Sequence, residues 1–305
     1  MNRIPALLVR FLAVLILIAV IFAIYLLVAR PYQLTWGATR DEIHRSMPGD
    51  ELNPNPKFLA TRAITIDGRP QEIFPWLMQM GYGRAGFYGY DILENLGSPA
   101  GIRSADHILP MYQHFKPGDD APLSAAGGLV FYAIEPEKYL VWSGANGWGG
   151  ITWALYPIDE SHTRLVSRVR FSHSLNSPGQ LVMDLFTEFS DPLAVRKILQ
   201  GIKGRVEGQV EPMAQGNIEF VIYLAAVLLF VISIVLILIR PLTWHRWLAG
   251  LAAGAAWLLI WYSQAPIWIG FLVEIWLTWN LYRSFRSVST SMPGTSRAAH
   301  FENDG

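Results

Sequence analysis

Thr61-Arg62-Ala63-Ile64-Thr65-Ile66-Asp67 is a run rich in β-branched residues, closed by an Asp67-Gly68 turn and followed by Pro70, a residue suited to the first turn of a helix. The run predicts a strand. Beyond Pro70, Ile73, Trp76, Leu77 and Met80 share one face of a predicted helix. Four more runs read as strands: Gly128 to Glu135, Tyr139 to Ser143, Ile151 to Ile158 and Thr163 to His173. The segments between them are short and turn-like, so these strands are expected to pair antiparallel with their neighbours, because parallel pairing needs a long crossover. In the last run Leu165, Ser167, Val169 and Phe171 share a mostly apolar face, while Val166, Arg168 and Arg170 share a mostly polar one. That alternation predicts one face on a core and one face wet.

Helical signal returns from Pro178 to Val206. Leu181, Leu185 and Phe189 fall on one face. Ser190 or Asp191 is placed to cap a new helix with Pro192 in its first turn, and Val195, Ile198, Leu199, Ile202 and Val206 continue an apolar stripe. A short helix is expected at Asp91 to Leu96. The fold class is therefore α+β.

This order carries a resemblance. Pro75-Trp76-Leu77-Met78-Gln79-Met80-Gly81, Gly86-Phe87-Tyr88-Gly89-Tyr90-Asp91, Leu93-Glu94-Asn95, Ser104-Ala105-Asp106 and Ile108-Leu109-Pro110, with residues 198–205, resemble a bacterial membrane-anchored branch of the SRPBCC superfamily, the START-like or polyketide-cyclase-like helix-grip fold. The resemblance spans roughly residues 36–208. It implies a curved antiparallel sheet around the C-terminal helix, with an apolar cavity between them. It implies no single activity, since one fold hosts many functions.

Composition places this domain on a membrane. Of 305 residues, 52% are apolar and 16% charged, against roughly 25% charged in an ordinary soluble domain. The balance argues against a disordered chain, a nucleic-acid binder with a basic face and a simple cytosolic enzyme. The sequence has no cysteine, which excludes disulfides, zinc-thiolate sites and thiol catalysis. Phe11 to Ala29 is uncharged and long enough to cross the hydrocarbon core, and reads as an uncleaved signal anchor. Phe220 to Ile239 reads as a second span. Trp247 to Tyr262 and Ala265 to Tyr282, split by Ser263-Gln264-Ala265-Pro266, read as a helical hairpin or as one re-entrant segment. The expected plan is an anchor (1–30), a domain (31–216) that begins with an extended arm from Pro31 to Pro56, a span (217–240), a hairpin (241–286) and a polar tail (287–305), about four transmembrane helices in all. Arg3, Arg10, Arg240, Arg246, Arg283 and Arg286 flank the apolar runs and assign those regions to the cytoplasm, leaving the domain outside.

Arg84, Tyr88, Tyr90, Asp91, Glu94 and Asn95 concentrate polar groups near the expected cavity mouth. An Arg beside a Tyr suits a carboxylate or phosphate head. The same residues also suit a network that holds a loop, with Asp91 as a helix cap. Asp106-His107 is the most acid–base-like pair in the chain, or else part of a polar loop. Glu274 lies midway along the last apolar run, where an ionisable group is costly and points to function or to a helix–helix contact. Gly81, Gly83 and Gly86 match a dinucleotide-binding spacing but follow a helix, outside any βαβ unit. His44, His114, His162 and His173 lack metal-ligand spacing, and no nucleophile-elbow motif occurs. No metal or cofactor is expected. The expectation is a membrane-anchored binding protein for a lipid or small hydrophobic ligand, with membrane lipids as partners. Its rivals are a polyketide-cyclase or hydrolase-like enzyme using acid–base residues, and a membrane assembly protein whose cavity is filled by its own side chains.

Overall fold

The computed structural model describes residues 3–94, 103–125, 127–144, 149–172, 178–239, 248, 250–257 and 266–289. The chain divides into two compact units, residues 23–221 and residues 1–22 with 222–305.

The larger unit is α+β. Its six-stranded antiparallel sheet is built from β1 (Phe58–Asp67), β2 (Asp120–Ser124), β3 (Gly127–Glu135), β4 (Tyr139–Ser143), β5 (Gly149–Pro157) and β6 (His162–Phe171). The order is β1-β6-β5-β4-β3-β2, so four consecutive hairpin-like pairings lead from β2 to β6 and the first strand joins at the far end. β1 pairs with β6 over its full length, from Phe58↔Phe171 to Asp67↔His162. Strand β2 was not foreseen. Its Pro122 reads as a turn, and the strand is tolerated because it lies on the edge of the sheet, where a missing N–H costs no ladder bond.

Helix α4 (Pro70–Gln79) and the long α6 (Pro178–Val206) cover the inner face. Ile73, Leu77 and Met80 from the α4 region meet Val195, Ile198, Leu199 and Ile202 from α6 in one cluster with Ile66, Leu165 and Val169 of the sheet. Phe131, Trp142 and Trp153 are at most 1% exposed and contact one another edge-to-face at 6.0 and 6.3 Å. These rings occupy the inner face where the resemblance implies an apolar cavity.

Two expectations are corrected. First, α6 is one helix that passes through Pro192 without a break, and Asp191 is no cap. Its carboxylate turns inward to the Arg62 guanidinium at 2.7 Å, and Arg62 also donates through Nε to the Gln33 carbonyl at 2.6 Å. Second, the polar face of β6 is dry. The segment between residues 37 and 54 is no free arm. It carries α3 (Arg40–His44), capped reciprocally by Thr39 and Glu42, and lies across the outer face of the sheet. Met47 packs there with Ala63, Ala154 and Val166. Three arginines from β6 bind this segment. Arg164 holds the Glu42 carboxylate through two bonds of 2.8 Å. Arg170 donates to Asp50 at 2.7 Å and to the Asn53 carbonyl at 3.0 Å. Arg168, 3% exposed, uses all of its donors: Thr61 Oγ1 at 3.0 Å, the Arg45 carbonyl at 2.8 Å, Asp50 at 2.7 Å, and the Glu42 and Ile43 carbonyls at 2.7 and 3.0 Å. The alternation predicted for β6 is present, but its charged face meets a polar partner and not water.

Before this segment, α1 (Arg3–Ile24) continues through one π-helical turn (Tyr25–Ala29) into α2 (Arg30–Leu34). Residues five apart are separated by about 140° on an α-helix, but an i→i+5 turn brings them near one face. Tyr25 and Arg30 thereby both reach Glu188 of α6, at 2.6 and 2.5 Å.

Among the described residues, two helices are long and apolar enough to cross a membrane, Phe11–Leu34 and Ala214–Val235, rather than four. The second lies in α7 (Met213–Ile239). In the smaller unit, Gly254 lies where a Cβ would press on Ile21 and Phe230, and Phe230 stacks on Trp257 at 6.0 Å. Of the expected hairpin, residues 258–265, which hold its turn, lie outside the described residues. Helix α8 (Ile267–Ser289) is formed but is not one of the two apolar helices, carrying Glu274, Asn280, Arg283 and Arg286 along its length.

Candidate functional site

A pocket of about 310 Å³ opens beside the C-terminal half of α6. Lys197, Gln200, Gly201, Gly204 and Arg205 form the helix wall. Tyr88, Gly89, Asp91, Ser104 and Asp106 form the loop wall, and residues 209–212 with Gly216 close the third side.

The loop wall is held against its own backbone preference. Tyr88 has φ of 66°, the left-handed region, which costs a side-chain-bearing residue roughly 1–2 kcal/mol. Its surroundings fix it there. The Tyr88 hydroxyl donates to the Trp76 carbonyl at 3.0 Å, its N–H donates to Ser104 Oγ at 2.9 Å, and its ring meets Trp76 edge-on at 5.7 Å. The Arg205 guanidinium lies 4.5 Å from the Tyr88 ring centroid. At Gly201 a Cβ would overlap the Tyr88 carbonyl, so helix and loop meet backbone to backbone. At Gly89 a Cβ would overlap the Glu94 carboxyl.

The charges are arranged in two groups. Lys197, 7% exposed, spends its three N–H donors on Glu211 (3.0 and 2.8 Å) and Glu219 (2.7 Å), and Tyr90 donates to Glu219 at 3.3 Å. Arg205 donates through Nε to the Ala105 carbonyl at 2.7 Å and through Nη1 to the Gly201 carbonyl at 3.0 Å. Its Nη2 has no hydrogen bond among the described residues. Burial lowers the Arg205 pKa, while Tyr88, Asp91, Glu94 and Asp106 oppose that shift. Ser104 Oγ donates to Asp91 at 2.7 Å.

Glu94 lies behind Gly89. The residue is only half-buried, but both carboxyl oxygens are sealed from solvent. Burial first, and then the Asp91 charge, push its pKa up to about 8. The amides of Phe87, Gly89 and Tyr90 approach the carboxyl without reaching good hydrogen-bond geometry, and they lower the pKa too little to cancel the rise.

Of the residues expected at the site, Tyr88, Asp91 and Asp106 line the pocket, and Glu94 stands behind it. Tyr90 is fully buried and tied to the Lys197 group. His107 is exposed and bonded to Asp106 at 2.7 Å, which holds the Asp106 carboxyl below its usual range. Arg84 is corrected. It lies at the β2 edge of the sheet, its guanidinium 3.8 Å from the Phe115 ring centroid and its Nη2 donating to the Asp120 carbonyl, where burial lowers its pKa. It pins the Gly81 to Gly86 turn to β2 and does not reach the pocket. Asn95 lies outside the described residues. Glu274 belongs to the smaller unit, with Oε1 buried and without a hydrogen bond among the described residues. Among the described residues no group of acidic and histidine side chains is placed to hold a metal ion.

Lys197, Arg205 and Ser104 were missed. The signal was available on α6, where Lys197, Gly201, Gly204 and Arg205 lie together on the side of the helix away from the apolar stripe.

No family model and no curated protein matches the chain. Among solved structures, a conserved protein of unknown function from Enterococcus faecalis aligns at 16% identity over 58% of this chain and 94% of its own, with a TM-score of 0.25. A protein from Mesorhizobium loti aligns at 18% identity over 48% of this chain and 96% of its own, also with a TM-score of 0.25. At that similarity neither bears on activity.

Proposed function

We propose that this is a membrane-anchored protein that binds a lipid-like amphipathic molecule, with the polar head in the pocket between α6 and the Tyr88 loop. The observation that carries this reading is the position of the pocket. Pro212 and Gly216 line it, and Gly216 already belongs to the apolar stretch Ala214–Val235. A charged recess is thus built into the first turn of a candidate span. Nη2 of Arg205, without a hydrogen bond among the described residues, suits an anionic group, Asp91 and Asp106 suit a cationic one, and Tyr88, Val210 and Pro212 offer apolar surface beside them. This narrows the expected ligand from an apolar molecule inside the sheet to an amphipath at the end of the helix. The helix-grip reading belongs to the same proposal. The sheet order and the helix across its inner face support it, and the aromatic filling of the inner face argues for a ligand site elsewhere than over the sheet.

The test uses the full chain extracted in mild detergent. Mass spectrometry of the molecules it releases should find an amphipath retained by the parent and by Lys138→Gln, an exposed control, but lost from Arg205→Gln. Thermal unfolding of each variant identifies any loss that comes from misfolding. Equal retention by a folded Arg205→Gln, or no retained molecule at all, refutes the proposal.

One observation favours a second reading, the acid–base enzyme. Burial pushes the Glu94 pKa up to about 8, and Asp91 lies beside it, which suits a carboxyl that takes up and releases a proton in general acid–base chemistry. Its sealed oxygens require the Gly89 loop to open before a substrate reaches them.

A further inference from the structure

Helix α6 divides into two parts along its length. Its C-terminal half packs on the sheet, while its first three turns carry Leu181, Val182, Leu185 and Phe186, which are 51%, 63%, 50% and 45% exposed. Their spacing places them on one stripe. On the opposite side, Asp184, Thr187 and Glu188 face a small recess shared with Lys57. This is the two-faced pattern of a helix that lies in a membrane interface.

Its surroundings identify the apolar partner. Phe189 meets the Tyr25 ring at 5.4 Å, and Glu188 is held by Tyr25 and Arg30. Farther along, Asp191 and the Gln33 carbonyl meet through Arg62, and Arg196 lies 4.7 Å from the Trp36 ring centroid. Positions 25, 33 and 36 therefore advance together with 189, 191 and 196, and the two segments run in the same sense. Followed backward from Glu188, residues 178–187 lead away from the Gln33 and Trp36 end of that stretch. Leu26, Leu27 and Val28 on that stretch are themselves 43%, 78% and 57% exposed, within the apolar helix Phe11–Leu34. Within the larger unit, residues 23–34 and the first turns of α6 thus both expose apolar side chains, and residues 23–34 form the end of a candidate span.

We propose that the first three turns of α6 insert into the membrane interface beside the end of the first span, with the lipid bilayer as the occupant of their apolar face. The Arg30–Glu188 pair then lies at the boundary between hydrocarbon and water, where a long cationic side chain reaches the polar layer. The inference relies on the first span but not on the pocket or its ligand.

The chain has no cysteine, so single sites can be read without background. Leu185→Cys, Leu181→Cys and, in the exposed β5–β6 turn, Ser161→Cys are each labelled with an environment-sensitive fluorophore. The full chain is then reconstituted in phosphatidylcholine and phosphatidylglycerol vesicles. Labels at 185 and 181 should emit at shorter wavelength than the label at 161. They should lose most of their emission to lipids spin-labelled on the acyl chain and little to aqueous iodide, with 161 showing the reverse. Positions 181 and 185 make no core contact, and two independent sites guard against a single failed variant. Quenching of both by iodide would place the stripe in water and overturn the proposal. Protection of both from either quencher overturns it as well, since the cover is then protein, either another segment of this chain or a second copy.

Discussion

Replacing Arg168 with methionine should release the segment across the outer face of the sheet while leaving the inner core intact. The methionine keeps most of the buried stem but removes all five hydrogen bonds. The Arg45, Glu42 and Ile43 carbonyls lose their partner, whereas Asp50 keeps Arg170. Removing one member of a buried ionic network costs about 3–5 kcal/mol, against a total stability of roughly 5–15 kcal/mol for a domain. The damage should stay local, because residues 37–54 can lift off and hydrate their carbonyls more cheaply than the sheet can unfold. Hydrogen exchange of the full chain in detergent reads this directly. The amides of Ile43, Arg45, Asp50 and Leu52 all donate within the segment. Their exchange should accelerate about 10²- to 10³-fold, while amides of β5 keep their parent rates. Acceleration of less than about tenfold, equivalent to ~1.4 kcal/mol, would refute the idea that this guanidinium holds the segment down. Uniform acceleration through β5 would mean that the segment and the sheet open as one unit.

Gly201→Ala should lower the midpoint of thermal unfolding by several degrees and raise the exposure of Tyr88, because its Cβ meets a backbone carbonyl that cannot move alone; an unchanged midpoint would show that helix and loop are not in backbone contact. Glu94 binds its proton more tightly in the folded chain, so its contribution to stability is complete below pH ~4.3 and declines as pH rises to about 8. Glu94→Gln should therefore gain on the parent in melting temperature as pH rises from 5 to 9, and parallel curves would remove the shift. Glu42 has the opposite sign. Burial raises its pKa, but the Arg164 bonds and the Thr39 amide more than reverse this, so the stability it adds is present above pH ~4.3 and is lost on acidification; amides 43–52 should begin to exchange faster below that pH in the parent but show no such step in Glu42→Gln. For topology, a cysteine at Ser161 should react with an impermeant maleimide on intact cells, and one at Ser296 only after lysis; the inverse pattern would place the sheet in the cytoplasm.

The sheet was legible in the sequence wherever two-residue alternation and turn residues coincided, as in Thr163 to Phe171. It was not legible at Asp120–Ser124, where proline and two small residues conceal an edge strand whose pairing is imposed by β3. The arginines of β6 were visible, but their partners lie more than a hundred residues earlier, and a local pattern cannot say whether a charged face meets water or another segment. The site divides in the same way. Tyr88, Asp91 and Asp106 were found from polar density, a property of neighbours in sequence. Lys197 and Arg205 were missed because they sit in an amphipathic helix, where charge is the ordinary solvent-facing choice. Arg84 lies apart from the pocket, its guanidinium taken up by Phe115 and the Asp120 carbonyl, partners some thirty residues away that the local sequence does not show.

The position of β1 at one end of the sheet has a consequence for biosynthesis. Its single sheet neighbour is β6, so Phe58–Asp67 has no strand to pair with until His162–Phe171 has been made. At roughly 5–20 residues per second, the intervening stretch of about 95 residues takes on the order of 5–20 s to synthesise. During that interval the chain nearest the candidate span Phe11–Leu34 is the least finished part of the domain. A ribosome paused between β1 and β5 would leave that strand unpaired, and a chaperone acting on the nascent chain would meet it first at residues 58–67.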